Sequence, residues 1–154
     1  MKNILWSLLA IFVGVVVGGI VVMIVEIPGY VIHPPPSGLS MNDMEAVKAY
    51  AAKAPPLALA GVALAWAAGP FAATLVACLI ARKKYLVHGL IIGVLFAALD
   101  AANFYIPHPT WLMVAGIVFP FLTSCAAAAI MGRLLPPKSC PHQPYDMREK
   151  NMAC

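Results

Sequence analysis

Residues 57–105 read LALAGVALAWAAGPFAATLVACLIARKKYLVHGLIIGVLFAALDAANFY, two long apolar stretches separated only by Arg82-Lys83-Lys84. Each stretch has the roughly 20 residues that a helix needs to cross a bilayer. Because hydrocarbon offers no hydrogen-bond partner to exposed backbone groups, such stretches must be helices. Because this basic turn is so short, the second stretch must run back across the membrane beside the first. The segment therefore predicts a pair of antiparallel membrane-spanning helices.

Two more apolar stretches, 4–25 and 111–135, lie on either side of this pair. The 154-residue chain is 62% hydrophobic and 10% charged, and its mean hydropathy is +0.88. Such a composition cannot supply the polar surface of a soluble domain. The sequence predicts an all-α, membrane-embedded bundle of four transmembrane helices that forms a single domain over 1–135. The predicted helices are about 4–25, 57–81, 85–105 and 111–135.

The longest connection joins the first two of these helices and contains an ordered segment of its own. It begins with the stiff turn Pro34-Pro35-Pro36-Ser37-Gly38. A start resembling a capping box, Ser40-Met41-Asn42-Asp43, follows. Pro55-Pro56 ends the pattern. We expect a short amphipathic helix at about 41–54 in the first outer loop, either lying on the membrane surface or capping the bundle.

The basic residues are distributed unevenly between the two predicted sides of the membrane. Eight share one side: Lys2, Arg82, Lys83, Lys84, Arg133, Lys138, Arg148 and Lys150. Only Lys48 and Lys53 share the other. Since cytoplasmic loops carry an excess of Lys and Arg, both termini are expected in the cytoplasm, with 136–154 as a flexible cytoplasmic tail. The basic turn is interpreted as a topology signal in contact with anionic lipid, and no nucleic-acid partner is expected.

Asp100 is the acidic residue that lies well inside a predicted span, about 9 Å below Pro107 at 1.5 Å per residue. A carboxyl at that depth is costly, so it needs a partner or a proton. The helical spacing places Asn103 beside it at i+3. Asp100 is therefore either neutral or satisfied by an outer-side His, Lys48 or Lys53.

Other polar residues gather near the same predicted outer face. Glu26 ends the first predicted helix, and His33 and His108 lie in the two outer loops. One hypothesis is a proton or cation site built from Asp100, Glu26 and Asn103, with the histidines as outer-face ligands or proton acceptors. The alternative is a polar clasp that only fixes helix packing.

Small residues recur at four-residue spacing in the spans, as in Gly14 and Gly18 or Gly89 and Gly93. Such stripes permit close helix association in lipid. No span carries a nucleophile, a base and an orienting group at catalytic spacing. The four cysteines include no C-x-x-C pair. We therefore expect no enzyme activity, no cofactor and no metal site.

The order of these features resembles a group of small bacterial four-helix membrane proteins with no assigned activity. The resemblance rests on the glycine-rich first helix, the turn 34–38, the short polar helix and Pro107-His108-Pro109-Thr110-Trp111 before the last span. It covers about 1–135. The resemblance implies a small inner-membrane protein of unknown role and supplies no site residues.

Two functions remain open from the sequence. The preferred one is a structural or accessory membrane protein that acts by helix association, with itself or with a larger membrane complex, in the lipid bilayer. The alternative is a small oligomeric transporter or channel with a proton or cation site near the outer face. We expect four tightly packed helices to enclose little volume, so the alternative requires several copies.

Overall fold

The computed structural model describes residues 2–40 and 42–135. Across these ranges it contains five α-helices and no strand, which confirms the all-α prediction. The helices are α1 (Lys2–Ile32), α2 (Met44–Ala51), α3 (Pro56–Ala81), α4 (Tyr85–Ala102) and α5 (Thr110–Leu134). A 3-10 turn, Asn103–Tyr105, continues α4. The predicted flexible tail lies outside the described residues.

Four helices are long and apolar enough to cross a membrane, as predicted. They correspond to Ile4–Ile32, Pro56–Ala81, Tyr85–Tyr105 and Thr110–Leu134. The last three agree with the predicted limits to within one residue. Helix α5 begins at Thr110, and Pro109 stands at its cap position without a side-chain hydrogen bond.

The first helix is longer than predicted, because it continues past Pro28 to Ile32. A proline inside a helix removes one backbone donor, but membrane helices tolerate this loss. Helical bonding resumes at once, since the His33 amide donates to the Gly29 carbonyl at 2.9 Å. The helix ends at Ile32, just before the three consecutive prolines, which cannot continue it. The prediction that Glu26 ends this helix was wrong.

The short helix α2 is found between the first two spans, but it is shorter than predicted. Its N-cap is Asp43, whose side chain accepts a bond from the Ala46 amide at 3.1 Å. Ser40 lies outside the helix and accepts a bond from the Asn42 amide at 3.3 Å. A carboxylate is as good a cap as a hydroxyl, so the cap lies three residues later than the pattern indicated.

Helix α3 is central and packs against α1, α4 and α5. Its contact with α1 depends on backbones that approach closely. A Cβ built on Gly14 would lie 2.5 Å from the Ala73 carbonyl oxygen, and one built on Gly18 would lie 2.7 Å from the Gly69 carbonyl oxygen. The predicted stripe on α1 therefore packs inside the chain.

The glycines of α4 serve the same purpose against α5. A Cβ on Gly89 would approach the Ser124 carbonyl oxygen to 2.9 Å. Between α3 and α4 the chain reverses through two residues in the left-handed conformation, Arg82 with φ 48° and Lys84 with φ 46°. This sharp turn confirms the predicted antiparallel pair.

Candidate binding site at the α2 end of the bundle

A cavity of about 560 Å³ lies at the end of the bundle that carries α2, and we call it the α2-end pocket. Its walls come from α1, α3 and α4, and α2 contributes Val47, Tyr50 and Ala51. The segments after α1 and after the 3-10 turn complete the lining. Helix α5 contributes no lining residue. The expectation that one copy encloses little volume was therefore wrong.

The pocket exists because α1 follows α3 and makes few contacts with α4. Helices α1 and α4 approach each other at Gly18, where an added Cβ would lie 2.7 Å from the Phe96 ring. One residue further along, a Cβ on Gly19 would meet nothing within 4 Å, and both Gly19 and Phe96 line the pocket. The face of α1 that carries Gly19 is therefore open toward the pocket, while the face that carries Gly18 is closely packed.

Asp100 lies in the wall of the pocket and is only 5% exposed. Its Oδ2 atom is buried and has no hydrogen-bond partner among the described residues. Glu26 lines the same pocket, so the pocket holds two carboxyl groups. Burying a charged carboxyl without a partner costs free energy of folding. A bound proton or cation would offset this cost.

The lysines considered as partners for Asp100 do not reach it. Lys48 pairs instead with Glu45 on the surface, with Nζ 3.3 Å from Oε1. Lys53 is exposed, and within 2–40 and 42–135 no Lys or Arg lines the pocket. The pocket therefore contains acidic groups and no permanently basic group to neutralise them.

Asn103 lines the same pocket but does not pair with Asp100. Its side-chain amide donates to the Leu99 carbonyl at 2.9 Å, one turn back along the chain. This local bond competes with the predicted i+3 contact, as short amide side chains often do. It also leaves the clasp hypothesis without its expected bond.

His33 joins the end of α1 to α2. Its ring stacks on Tyr50 with centroids 4.4 Å apart and planes 4° from parallel. The Tyr50 hydroxyl donates to the His33 carbonyl, and His33 Nε2 lies 3.3 Å from the Tyr50 carbonyl, which requires that nitrogen to carry a proton. Partial burial and, secondarily, the nearby Tyr30 raise the pKa of Tyr50, so its hydroxyl remains a donor at neutral pH.

His108 lies against the opposite wall. Its Nδ1 donates to the Ile106 carbonyl at 2.7 Å, so the neutral ring keeps Nε2 as an acceptor. The ring centroid is 5.8 Å from that of Trp66. Trp66 is 5% exposed, lines the pocket and also contacts Phe104 at 6.2 Å.

All five residues singled out from the sequence line this one pocket: Glu26, His33, Asp100, Asn103 and His108. Sequence reasoning missed the aromatic residues of the pocket wall, which include Tyr30, Tyr50 and Trp66. The sequence signal for this wall was a pair of amphipathic rings, Tyr30 before His33 and Tyr50 after it along the chain.

Sequence reasoning also missed His88, a second ionisable residue inside a span. It is 3% exposed, its Nδ1 donates to the Lys84 carbonyl at 3.0 Å, and its Nε2 has no partner among the described residues. It lies three turns before Asp100 on α4, outside the pocket. Its spacing of twelve residues from Asp100 was visible in the sequence.

Within 2–40 and 42–135, no group of three or more His, Cys, Asp or Glu side chains is placed to hold a metal ion. Comparisons with protein-family models, with curated proteins and with solved structures return no match to this chain.

Proposed function

We propose that this chain is a multi-pass protein of the bacterial inner membrane that binds a proton or a cation in the α2-end pocket, as small transporters do. The observation that carries the proposal is Asp100, a buried carboxyl whose Oδ2 has no hydrogen-bond partner among the described residues. It shares with Glu26 a cavity whose described lining includes no Lys or Arg. Such a site favours cations and excludes anions.

The proposed orientation places the α2 end outside the cell, α2 in the first outer loop and both termini in the cytoplasm. Arg82, Lys83, Lys84 and Arg133 all lie at the opposite end of the bundle. Cytoplasmic loops carry such an excess of basic residues.

Helix association, the function preferred from the sequence, now has less support. The stripes on α1 and α4 are filled by α3 and α5 of the same chain. They therefore provide no surface that calls for a partner. The pocket, in contrast, is complete in one copy, so ligand binding does not require an oligomer.

Carbodiimide labelling tests the proposal. N,N'-dicyclohexylcarbodiimide adds to protonated carboxyls in apolar surroundings, and intact mass reports each addition. We expect the purified protein to gain one label at Asp100, the Asp100→Asn variant to gain none there, and added cations to slow the reaction. Glu45→Gln is the matched control, because Glu45 is exposed and lies outside the pocket. A protein whose Asp100 remains unlabelled, or is labelled at a rate that no cation or pH change alters, would overturn the proposal.

A further inference from the structure

We infer that the ligand of the α2-end pocket is an organic ammonium ion: a protonated amine with an aliphatic or aromatic body. This inference rests on the proposed function and names the class of cation. Four features of the pocket support it.

The first feature is size. At about 560 Å³ the cavity lies within the range of small-molecule sites, roughly 300–1,000 Å³. A proton or a bare metal ion would leave most of this volume to be filled by water, which occupies about 30 Å³ per molecule. The volume therefore fits a molecule of several carbon atoms.

The second feature is the division of the lining into polar and apolar parts. Val22, Leu59, Val62, Trp66 and Phe96 offer an apolar and aromatic wall. Such a wall binds water weakly, whereas covering it with a hydrocarbon group lowers the free energy of the complex.

The third feature is the kind of charge. Asp100 and Glu26 line the same cavity and together suit one ammonium group, which would form charge-assisted hydrogen bonds with them. The rings of Tyr30, Tyr50 and Trp66 line the same cavity, and aromatic faces attract alkylammonium ions. Hard metal cations prefer six or more oxygen ligands, which two carboxyls and one amide do not supply.

The fourth feature is access from the lipid. The pocket opens at the surface of the bundle, since Leu99 of α4 lines it and is 55% exposed. Tyr30 lines it too and is 57% exposed. An amphiphilic amine dissolved at the membrane interface would meet this opening directly. The same ammonium chemistry belongs to free amines and to aminolipid head groups.

Trp66 provides a fluorescent reporter inside the pocket. Trp6 and Trp111 lie outside it and are 56% and 51% exposed, so Trp6→Phe with Trp111→Phe leaves Trp66 as the single tryptophan. In detergent, this variant is titrated with 2-phenylethylammonium, with the neutral isostere 2-phenylethanol, with 3-phenylpropionate and with NaCl alone. We expect saturable quenching by the ammonium compound only, with one site per chain.

Variants of the reporter protein then test the carboxyls. Asp100→Asn should weaken ammonium binding about tenfold to a hundredfold, the usual loss for one charge-assisted bond. Glu26→Gln should also weaken it, while Glu45→Gln should leave it unchanged. Circular dichroism of each variant checks that the fold is kept, and Glu26→Gln carries the test if Asp100→Asn does not fold.

Equal quenching by the alcohol, or an affinity that neither carboxyl variant changes, would overturn the inference. Binding of Na⁺ without the amine would overturn it too, yet the proposed function would stand if carbodiimide labels Asp100. Absence of both labelling and cation binding would overturn both. Nanodiscs of phosphatidylglycerol alone and with phosphatidylethanolamine distinguish the sources: competition by the aminolipid assigns the site to a head group, and its absence assigns it to a free amine.

Discussion

Asp100 provides the sharpest distinction between a binding site and a structural clasp. A clasp stabilises a fold through its bonds, whereas a binding group that waits for its ligand costs stability in the free protein. The structure places Glu26 in the same pocket as Asp100 and gives Oδ2 of Asp100 no hydrogen bond among the described residues. The two hypotheses therefore predict opposite effects on stability.

We expect Asp100→Asn and Asp100→Leu to unfold at the same temperature as the unsubstituted protein or at a higher one. Both changes remove the cost of burying a carboxyl, and Leu also adds apolar surface to the wall. The measurement is thermal unfolding in mild detergent, without added amines. A clear fall in the unfolding temperature of Asp100→Asn would show instead that the carboxyl holds the bundle together.

A glycine in the contact between α1 and α3 offers a second prediction. Gly14→Ala puts a methyl group 2.5 Å from the Ala73 carbonyl oxygen, a backbone atom that cannot move alone. We expect a loss of about 1–3 kcal/mol, the usual cost of overpacking a core. Thermal unfolding should show this loss as an unfolding temperature that is several degrees lower.

Gly61→Ala is the matched control for that change, because nothing lies within 4 Å of the added Cβ. It should leave stability unchanged or raise it by up to about 1 kcal/mol, since alanine favours helix. Equal behaviour of the two variants would contradict the close packing of α1 on α3.

Single residues also show how far sequence reasoning reaches. The cost of a carboxyl in an apolar run follows from composition alone, so Asp100 could be found without a structure. The bond from Asn103 to Leu99 could not, because two contacts with similar spacing compete for one amide. The unpaired Nε2 of His88 likewise depends on which helices surround it.

Helix α1 shows how the limits of one element determine the site. Ending it at Glu26 would have put Gly29 and Tyr30 in a loop, whereas its continuation to Ile32 places both in the pocket wall. Pro28 and Gly29 indicated an end because these residues commonly end soluble helices, although the predicted spans 57–81 and 111–135 already contain Pro70 and Pro120. The lengths of α3, α4 and α5 followed from hydropathy, since turns or prolines mark their ends.

Helix α2 contributes to the pocket and is held by few contacts. The Val47 side chain of α2 is only 5% exposed. The stacked rings of His33 and Tyr50 join the end of α2 to the end of α1. A short helix with few buried residues opens more readily than the spans. We therefore expect α2 to control access to the pocket.

Hydrogen exchange measures how firmly α2 is held. Tyr50→Phe removes the hydroxyl bond to the His33 carbonyl and keeps the stacked ring, while Tyr50→Ala removes both. Amides in 44–51 should exchange fastest in Tyr50→Ala, more slowly in Tyr50→Phe and slowest in the unsubstituted protein. Lys48→Ala is the control, because its exposed ion pair with Glu45 contributes only about 0–1 kcal/mol. Unchanged exchange in Tyr50→Ala would show that the ring contact does not hold α2.

The two ends of the molecule differ in a way that no single helix reveals. One end carries the basic turn, and the other holds the pocket, its two carboxyls and α2. The pocket depends on how α1 and α4 diverge, which no local pattern encodes. This is the physical reason that the sequence placed five polar residues near one face without predicting the cavity between them.

The orientation of the bundle in the membrane decides from which side ligands can reach the pocket, and cysteine labelling tests this orientation. The four native cysteines are first replaced by alanine. Lys53→Cys then places a thiol at the α2 end, and Arg82→Cys places one in the basic turn at the other; both native side chains are exposed. The positive-inside rule predicts that a membrane-impermeant maleimide labels Lys53→Cys in intact spheroplasts and Arg82→Cys only after lysis. The reverse pattern would turn the pocket toward the cytoplasm, where its amine would have to come from metabolism, while the chemistry of Asp100 and Glu26 would stay the same.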